Sequence, residues 1–269
     1  MTDGATPPKD DRLTVIAISA LACILQDVLH EGLGHGVTAW LSGARTVSMS
    51  TVAMQSDIST RWISANGTLV NLLFAAILWL LLRKPQRYPP ALRYFLVLAL
   101  AGNLFTGTGY FFFSGVSNFG DWAAVIAGLE PYWMWRSGLV VLGVITYYAS
   151  MLLVGAELKA FRGPGAISHR LRGLCWTPYI TDGILAGLGG LLNPLGLFYV
   201  IASALPSTLG ANAGLLALPS MMGNWRRRGE QKDIEQVAPI ARSIAWIVAG
   251  AIASLLFIFV LGRGLTWSR

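Results

Sequence analysis

Long apolar runs separated by short polar or basic segments dominate the chain. A stretch at 175–219 is broken by Asn193-Pro194 and Pro206 and is too long for one membrane crossing. The other runs approach or exceed the roughly 20 residues that a helix needs to span a bilayer. They lie at about 13–40, 67–82, 92–113, 138–153 and 240–261. The pattern predicts an all-α polytopic membrane protein with six or seven transmembrane helices.

Two polar segments interrupt or precede this pattern. After the first run, the segment ARTVSMSTVAMQSDISTRW alternates Val, Ser, Thr and Met. Alternation with period two is typical of a β-strand, so we predict a short β-hairpin or a loop at the membrane surface. Residues 1–12 are acidic and contain proline, which predicts a disordered tail. The remainder, 13–269, is interpreted as a single membrane domain.

The positive charge of the chain is explained by its membrane topology. The sequence has 20 Lys and Arg against 13 Asp and Glu, a net charge of +7. Basic residues cluster in the loops at 83–93 and 159–172, as in inner-membrane proteins that orient themselves by such loops. No stretch interleaves basic and aromatic residues, so we expect membrane lipids as partners and no nucleic acid.

The strongest chemical signal is the run H-E-G-L-G-H at residues 30–35, near the end of the first apolar run. Ionisable side chains are costly inside a membrane and usually mark a functional site. The chain has only 3 histidines, and two of them lie in this run. Two histidines beside a carboxylate favour a zinc site with a general base.

The spacing of the histidines requires a distorted helix. His30 and His35 are five residues apart, which separates them by about 140° in a regular α-helix. A π-helical bulge would realign positions i and i+5, and glycines at 32, 34 and 36 permit one. We therefore predict His30 and His35 as metal ligands and Glu31 as the base. In a regular helix the ligands would instead be Glu31 and His35, and a third possibility is that these groups only pair with polar neighbours.

A catalytic zinc site also needs a third protein ligand, for which there are three carboxylate candidates. Asp121 follows the third run, which ends on the membrane face where the first run ended, and it is the predicted ligand. Its alternative role is that of a turn aspartate. Asp182 lies near the start of a run that begins on the opposite face, and it is the alternative ligand. Asp27 precedes His30 by one turn and is better placed to orient a ligand or hold Glu31.

Taken together, these motifs resemble the site-2 protease family of intramembrane zinc metalloproteases. The segment HEGLGHGVTAWLSGAR is similar to the first core helix of that family, with Ala39 and Gly43 at its small-residue positions. The segment NGTLVNLL, which contains Asn71, is similar to the second core helix. Asn103, followed downstream by Asp121, is similar to the third.

The resemblance implies a three-helix metalloprotease-like core over 13–125, with accessory helices over 126–269. The two histidines and Asp121 would bind zinc, and Glu31 would activate water. Asn71 and Asn103 would either position a ligand or bind the substrate, by lining its path or holding its backbone.

The implied activity is hydrolysis of a peptide bond in or near the bilayer of a bacterial inner membrane, with a transmembrane protein or peptide as substrate. Three alternatives stay open. They are a catalytically inactive relative, a membrane hydrolase that acts on lipid amides or esters, and a proton- or cation-coupled transporter that uses the same carboxylates.

Overall fold

The structure, a computed structural model, describes residues 9–162, 169–227 and 236–269. Within these residues, six helices are long and apolar enough to cross a membrane, as expected for a polytopic membrane protein. They are α1 (Arg12–Leu41), α2 (Arg61–Leu82), α3 (Pro90–Ser117), α5 (Tyr132–Phe161), α7 (Leu197–Gly223) and α8 (Ile244–Leu261). The short helix α4 (Asp121–Ile126) follows α3, and α6 (His169–Leu191) precedes α7.

The number of crossings depends on α6. This helix has 23 residues, enough for a crossing by length, but it is not one of the six apolar spans of the described residues. The broken stretch at 175–219 therefore forms two helices, and only the second of them, α7, is apolar enough to count as a span.

A small antiparallel sheet lies beside the end of α1. Its strands are β1 (Thr46–Met49), β2 (Met54–Ser56) and β3 (Leu265–Ser268), in the order β2-β1-β3. The β1–β2 hairpin confirms the prediction made from alternation after the first apolar run. The C-terminal strand β3, which pairs Leu265 with Met49, was not predicted.

Two aspartates immediately before α1 contact other parts of the structure. Residues 1–8 lie outside the described residues. Asp10 forms a two-pronged ion pair with Arg170, at 2.9 and 3.0 Å. The Asp11 carboxylate accepts a hydrogen bond of 2.9 Å from the Thr14 N–H and so caps α1. Asp10 and Asp11, at the end of the predicted tail, are therefore held by contacts with Arg170 and Thr14.

The helices form one bundle around α1 and α3. Helix α3 contacts α1, α2, α5 and α7, while α8 packs along α1 and α6 packs against α1 and α7. Ile18, Leu100 and Leu158 come from three of these helices and are fully buried. Because lipid is as apolar as leucine, van der Waals packing and interhelical hydrogen bonds hold such a bundle together. This packing holds α1, α2 and α4 around the histidine run at residues 30–35.

Candidate metal centre

The backbone of α1 changes its winding at the histidine run. Val28–Gly36 is π-helical, which confirms the predicted distortion, and it brings the rings of His30 and His35 to 4.8 Å between centroids. The backbone of α2 lies directly against both rings. A Cβ atom on Gly67 would stand 2.6 Å from His35 Cε1 and 2.7 Å from His30 Cε1. A Cβ atom on Gly34 would likewise stand 2.6 Å from the Gly67 Cα. The close approach of α1 and α2 therefore requires both glycines.

The outer nitrogen of each histidine is held by a hydrogen-bond acceptor. His35 Nδ1 donates to the Ile63 carbonyl oxygen at 2.7 Å. His30 Nδ1 donates to Asn71 Oδ1 at 2.6 Å. The orientation of the Asn71 amide is fixed because its Nδ2 donates to two oxygens, Gln26 O at 3.2 Å and Asn103 Oδ1 at 2.8 Å. In the neutral form of each ring the proton therefore sits on Nδ1, and Nε2 keeps its lone pair.

The two Nε2 atoms converge on one carboxylate oxygen. They lie 3.2 Å apart, and Asp121 Oδ2 is 3.0 Å from His30 Nε2 and 3.3 Å from His35 Nε2. Three lone-pair atoms this close together repel one another unless a proton or a cation lies between them. Burial raises the pKa of Asp121, but the nearby His35 and His30 lower it more, so the net pKa lies below the usual value and the carboxylate is ionised.

A tight turn delivers Asp121 to the histidines. Asn118 ends α3 in the left-handed conformation, with φ of 56°, and Gly120 has φ of 82°, a region that favours glycine. Two hydrogen bonds then fix Trp122. Its Nε1 donates to Thr68 Oγ1 at 2.9 Å, and its backbone N–H donates to Ser114 Oγ at 3.3 Å. The start of α4, which carries Asp121, is therefore anchored to α2 and α3 through Trp122.

The group His30, His35 and Asp121 could hold a metal ion. Zinc is bound by nitrogen and oxygen at about 2.0–2.2 Å, so tetrahedral ligand atoms lie about 3.3 Å apart. The three measured separations, 3.0 to 3.3 Å, are close to that value. Three protein ligands would leave a fourth position for water. The donor set and its geometry thus fit the site that the sequence predicted.

Glu31 lies beside this group in a cleft of about 370 Å³. Its Oε2 accepts a hydrogen bond of 2.6 Å from the Met54 N–H, the first residue of β2. The cleft is also lined by His35, Asp121 and Tyr110. Tyr110 stacks on His30 with its ring centroid 4.8 Å away. Neither this tyrosine nor the contact with β2 was predicted, because both join parts of the chain that are distant in sequence.

The remaining candidates lie outside the metal-ligand group. Because α1 is π-helical at the run, the alternative that needs a regular helix, with Glu31 and His35 as ligands, is wrong. Asp182 Oδ2 accepts a hydrogen bond of 2.6 Å from Asn212 Nδ2 in a separate buried cluster. Asp27 Oδ2 has no hydrogen-bond partner among the described residues. It does not hold His30, whose Nδ1 is held by Asn71.

Asn71 and Asn103 lie behind His30 and away from the cleft. Both side chains are fully buried. Asn103 Nδ2 donates to the Ala99 carbonyl at 2.8 Å, and its Oδ1 accepts from Asn71. The two amides thus form a chain that positions His30, and they do not line the cleft.

A second, larger cavity opens between α3, α5 and α7. It has a volume of about 610 Å³ and an almost wholly apolar lining that includes Phe112, Val144 and Gly210. We call this cavity the apolar groove. Tyr110 lines both the apolar groove and the cleft. The tyrosine ring therefore stands between the apolar groove and His30.

Comparison of the chain with protein-family models, with curated proteins and with solved structures gives no match. The site is therefore interpreted from its own residues.

The glycine contact against the histidines gives a first prediction. We expect Gly67→Ala to lower zinc affinity about 10–100-fold, the scale of changes to residues that position ligands. The added methyl would push both rings off their common point. Gly138→Ala in α5 is the matched control, since a Cβ there meets nothing within 4 Å. Both changes raise helix propensity equally, so titration of zinc against a competing chelator isolates the effect of the contact. Equal zinc affinity in the two variants would contradict the claim that the close contact of Gly67 with the histidine rings is needed for zinc binding.

Proposed function

We propose that this protein is a zinc-dependent intramembrane protease of a bacterial inner membrane. The observation that carries the proposal is the π-helical turn of α1, which aligns two histidine Nε2 atoms with Asp121 beside the Glu31 carboxylate in a cleft. Six apolar spans and basic loops support the membrane location. The resemblance of the three helix motifs to site-2 proteases supports the reaction class.

The residues divide the chemistry among them. His30, His35 and Asp121 would hold the ion, which when bound supplies an acidified water and polarises the scissile carbonyl. Glu31 takes the proton of the attacking water and returns it to the leaving amine. Its bond to the Met54 N–H keeps the carboxylate in the cleft while leaving its second oxygen available. The Asn71 and Ile63 bonds hold each ring in the tautomer that offers Nε2.

The unpaired edge of β2 favours a peptide as the substrate. Gln55 pairs with Ser48 of β1, and the Met54 N–H points away from β1 to Glu31. Because orientation repeats every two residues, the backbone groups of Ser56 also face away from β1, and Ser56 lines the cleft. An extended segment could add to this edge by main-chain hydrogen bonds. A transmembrane helix would have to unwind locally to do so, which exposes its amides.

The apolar groove favours a substrate in which the segment next to the cleaved bond lies in the membrane. It adjoins the cleft at Tyr110, so an apolar segment in the groove would lead directly to the metal group. We propose that the transmembrane part of the substrate lies there while its unwound end reaches β2.

Filling the groove is expected to impair cleavage without affecting the metal. Gly210 lines the groove, and a Cβ there meets nothing within 4 Å, so Gly210→Leu should fold and reduce cleavage about tenfold or more. Gly187→Leu in α6 is the control, because a Cβ at Gly187 also meets open space and this residue is not among those that line the groove. The measurement is the initial cleavage rate in vesicles together with zinc content. Equal rates in the two variants would remove the groove from the substrate path.

The test of the proposed function is cleavage of membrane-embedded substrates by the purified protein in vesicles. A panel of single-span peptides with labelled ends serves as the probe. The proposal predicts zinc-dependent cleavage that stops with a zinc chelator and returns when zinc is restored. If no member of the panel is cleaved by zinc-loaded protein, while a labelled lipid amide or ester is, the reaction class would be wrong.

A further inference from the structure

A second polar cluster lies deeper in the bundle, beyond the metal group. Asp182 of α6 and Asp27 of α1 both line a buried cavity of about 20 Å³. A neighbouring cavity of about 30 Å³ leads from there to Glu31. Four residues, Gln26, Asp27, Thr51 and Thr208, line both cavities, so the two adjoin. Each has room for about one or two water-sized particles.

The oxygen atoms around these cavities lack protein partners. Gln26 is 7% exposed and Thr51 is 4% exposed, and both line the two cavities. Gln26 Oε1, Asp27 Oδ2 and Thr51 Oγ1 have no hydrogen-bond partner among the described residues. Buried polar atoms normally have a hydrogen-bond partner, so we expect each of these oxygens to bind a ligand.

The kind of ligand follows from the kind of atom. Two of the three unpartnered atoms, an amide oxygen and a carboxylate oxygen, are acceptors only, and a hydroxyl can also accept. The described residues that line the 20 Å³ cavity include no Lys, Arg or His. His30 lines the adjoining cavity, but its Nδ1 is bonded to Asn71 and its Nε2 faces Asp121. A buried carboxylate without a basic partner must be protonated or must be neutralised by a cation. Oxygen ligands of this type suit a small hard cation.

We propose that the cavity lined by Asp27 and Asp182 is a binding site for a monovalent cation and that this cation is Na⁺. Asp27, Asp182, Gln26, Thr51 and Thr208 offer the oxygens. Because they come from α1, α6, α7 and the β1–β2 turn, the bound ion joins these elements and stabilises the bundle. Asn212 Nδ2, at 2.6 Å, holds the Asp182 carboxylate in place. The site is separate from the histidine group and does not depend on proteolytic activity.

The test is thermal unfolding of the full-length protein in detergent, followed by tryptophan fluorescence. Samples contain NaCl, KCl or choline chloride at equal ionic strength, with zinc held constant. We expect the Tm in NaCl to exceed that in choline chloride by about 2–6 °C, with saturation as NaCl increases. KCl should have little effect, because the cavity is small for the larger ion.

Two variants locate the effect, and one controls for charge. Asp182→Asn and Thr51→Val should lose the response to Na⁺, whereas Asp57→Asn, a carboxylate at the sheet, should keep it. Zinc content should be unchanged in all three, so failure of this site is distinguishable from failure of the proposed protease. Equal Tm values for the wild-type protein in all three salts would overturn the proposal without any variant. A response to Na⁺ that survives in both variants would also overturn it.

Discussion

Replacing Glu31 with glutamine is expected to lower cleavage about 10²–10⁴-fold, the contribution of a general base, while zinc content stays the same. Glutamine has the same shape, and its amide oxygen can still accept the 2.6 Å hydrogen bond from the Met54 N–H. The variant therefore keeps the contact between α1 and β2 and loses only the ability to take a proton. This separates the chemical step from the structure of the cleft.

The matched control is Glu130→Gln, which neutralises an exposed carboxylate in the loop before α5. The measurement is the single-turnover rate on a cleaved peptide, with zinc quantified in the same sample. If Glu31→Gln cleaves as fast as Glu130→Gln, Glu31 is not the base. If it loses both zinc and activity, Glu31 acts as a ligand, and the geometry described here is wrong.

Removal of a metal ligand is expected to have the second large effect. His35→Ala and Asp121→Ala should each lower zinc affinity by more than the about 10–100-fold that loss of a ligand-orienting residue causes. In each variant, two of the three convergent atoms remain, and the site cannot complete a three-ligand set. Helix α4 should stay in position in Asp121→Ala, because Trp122 keeps its bond to Thr68.

His169→Ala is the control for the histidine variant. His169 is the third histidine of the chain, and it lies exposed at the start of α6. It should keep the zinc affinity of the wild-type protein. Isothermal titration with a competing chelator measures all three variants. Unchanged affinity in His35→Ala would mean that zinc, if bound, is held elsewhere.

Much of the candidate site could be predicted because its signal is local. The five-residue spacing of His30 and His35 forces either a distorted helix or a different ligand pair, and the glycines between them permit the distortion. Asp121 could be placed beside them because successive membrane crossings alternate direction. Residues that are distant in the chain thereby come to the same membrane face.

The parts that could not be predicted depend on contacts between distant segments. Strand β3 is only four residues long and follows the last apolar helix. Its pairing with β1 joins positions that lie more than two hundred residues apart, as in the bond between Thr266 and Ser48. Tyr110 is one aromatic residue among many in α3, and its stacking on His30 depends on helix packing. Burial of Asn71 and Asn103 likewise depends on how α1, α2 and α3 meet.

Strand β3 also bears on the cleft. It pairs with β1 on the side opposite β2, so β1 is the central strand and β2 is the edge strand that lines the cleft with Glu31 and His35. Strand β3 thus supports β1, which in turn pairs with β2, the strand that bonds the proposed base. The apolar pattern alone gave no reason to connect the two ends of the bundle.

The zinc content of the wild-type protein, purified in detergent from metal-replete cells, tests the proposed metal centre before any substrate is known. Elemental analysis is expected to give about one zinc per chain, bound at the His30, His35 and Asp121 group. No zinc in a folded wild-type preparation, even after incubation with the metal, would contradict the central claim. The converging histidines and Asp121 would then be a proton-sharing cluster of an inactive relative or of a transporter.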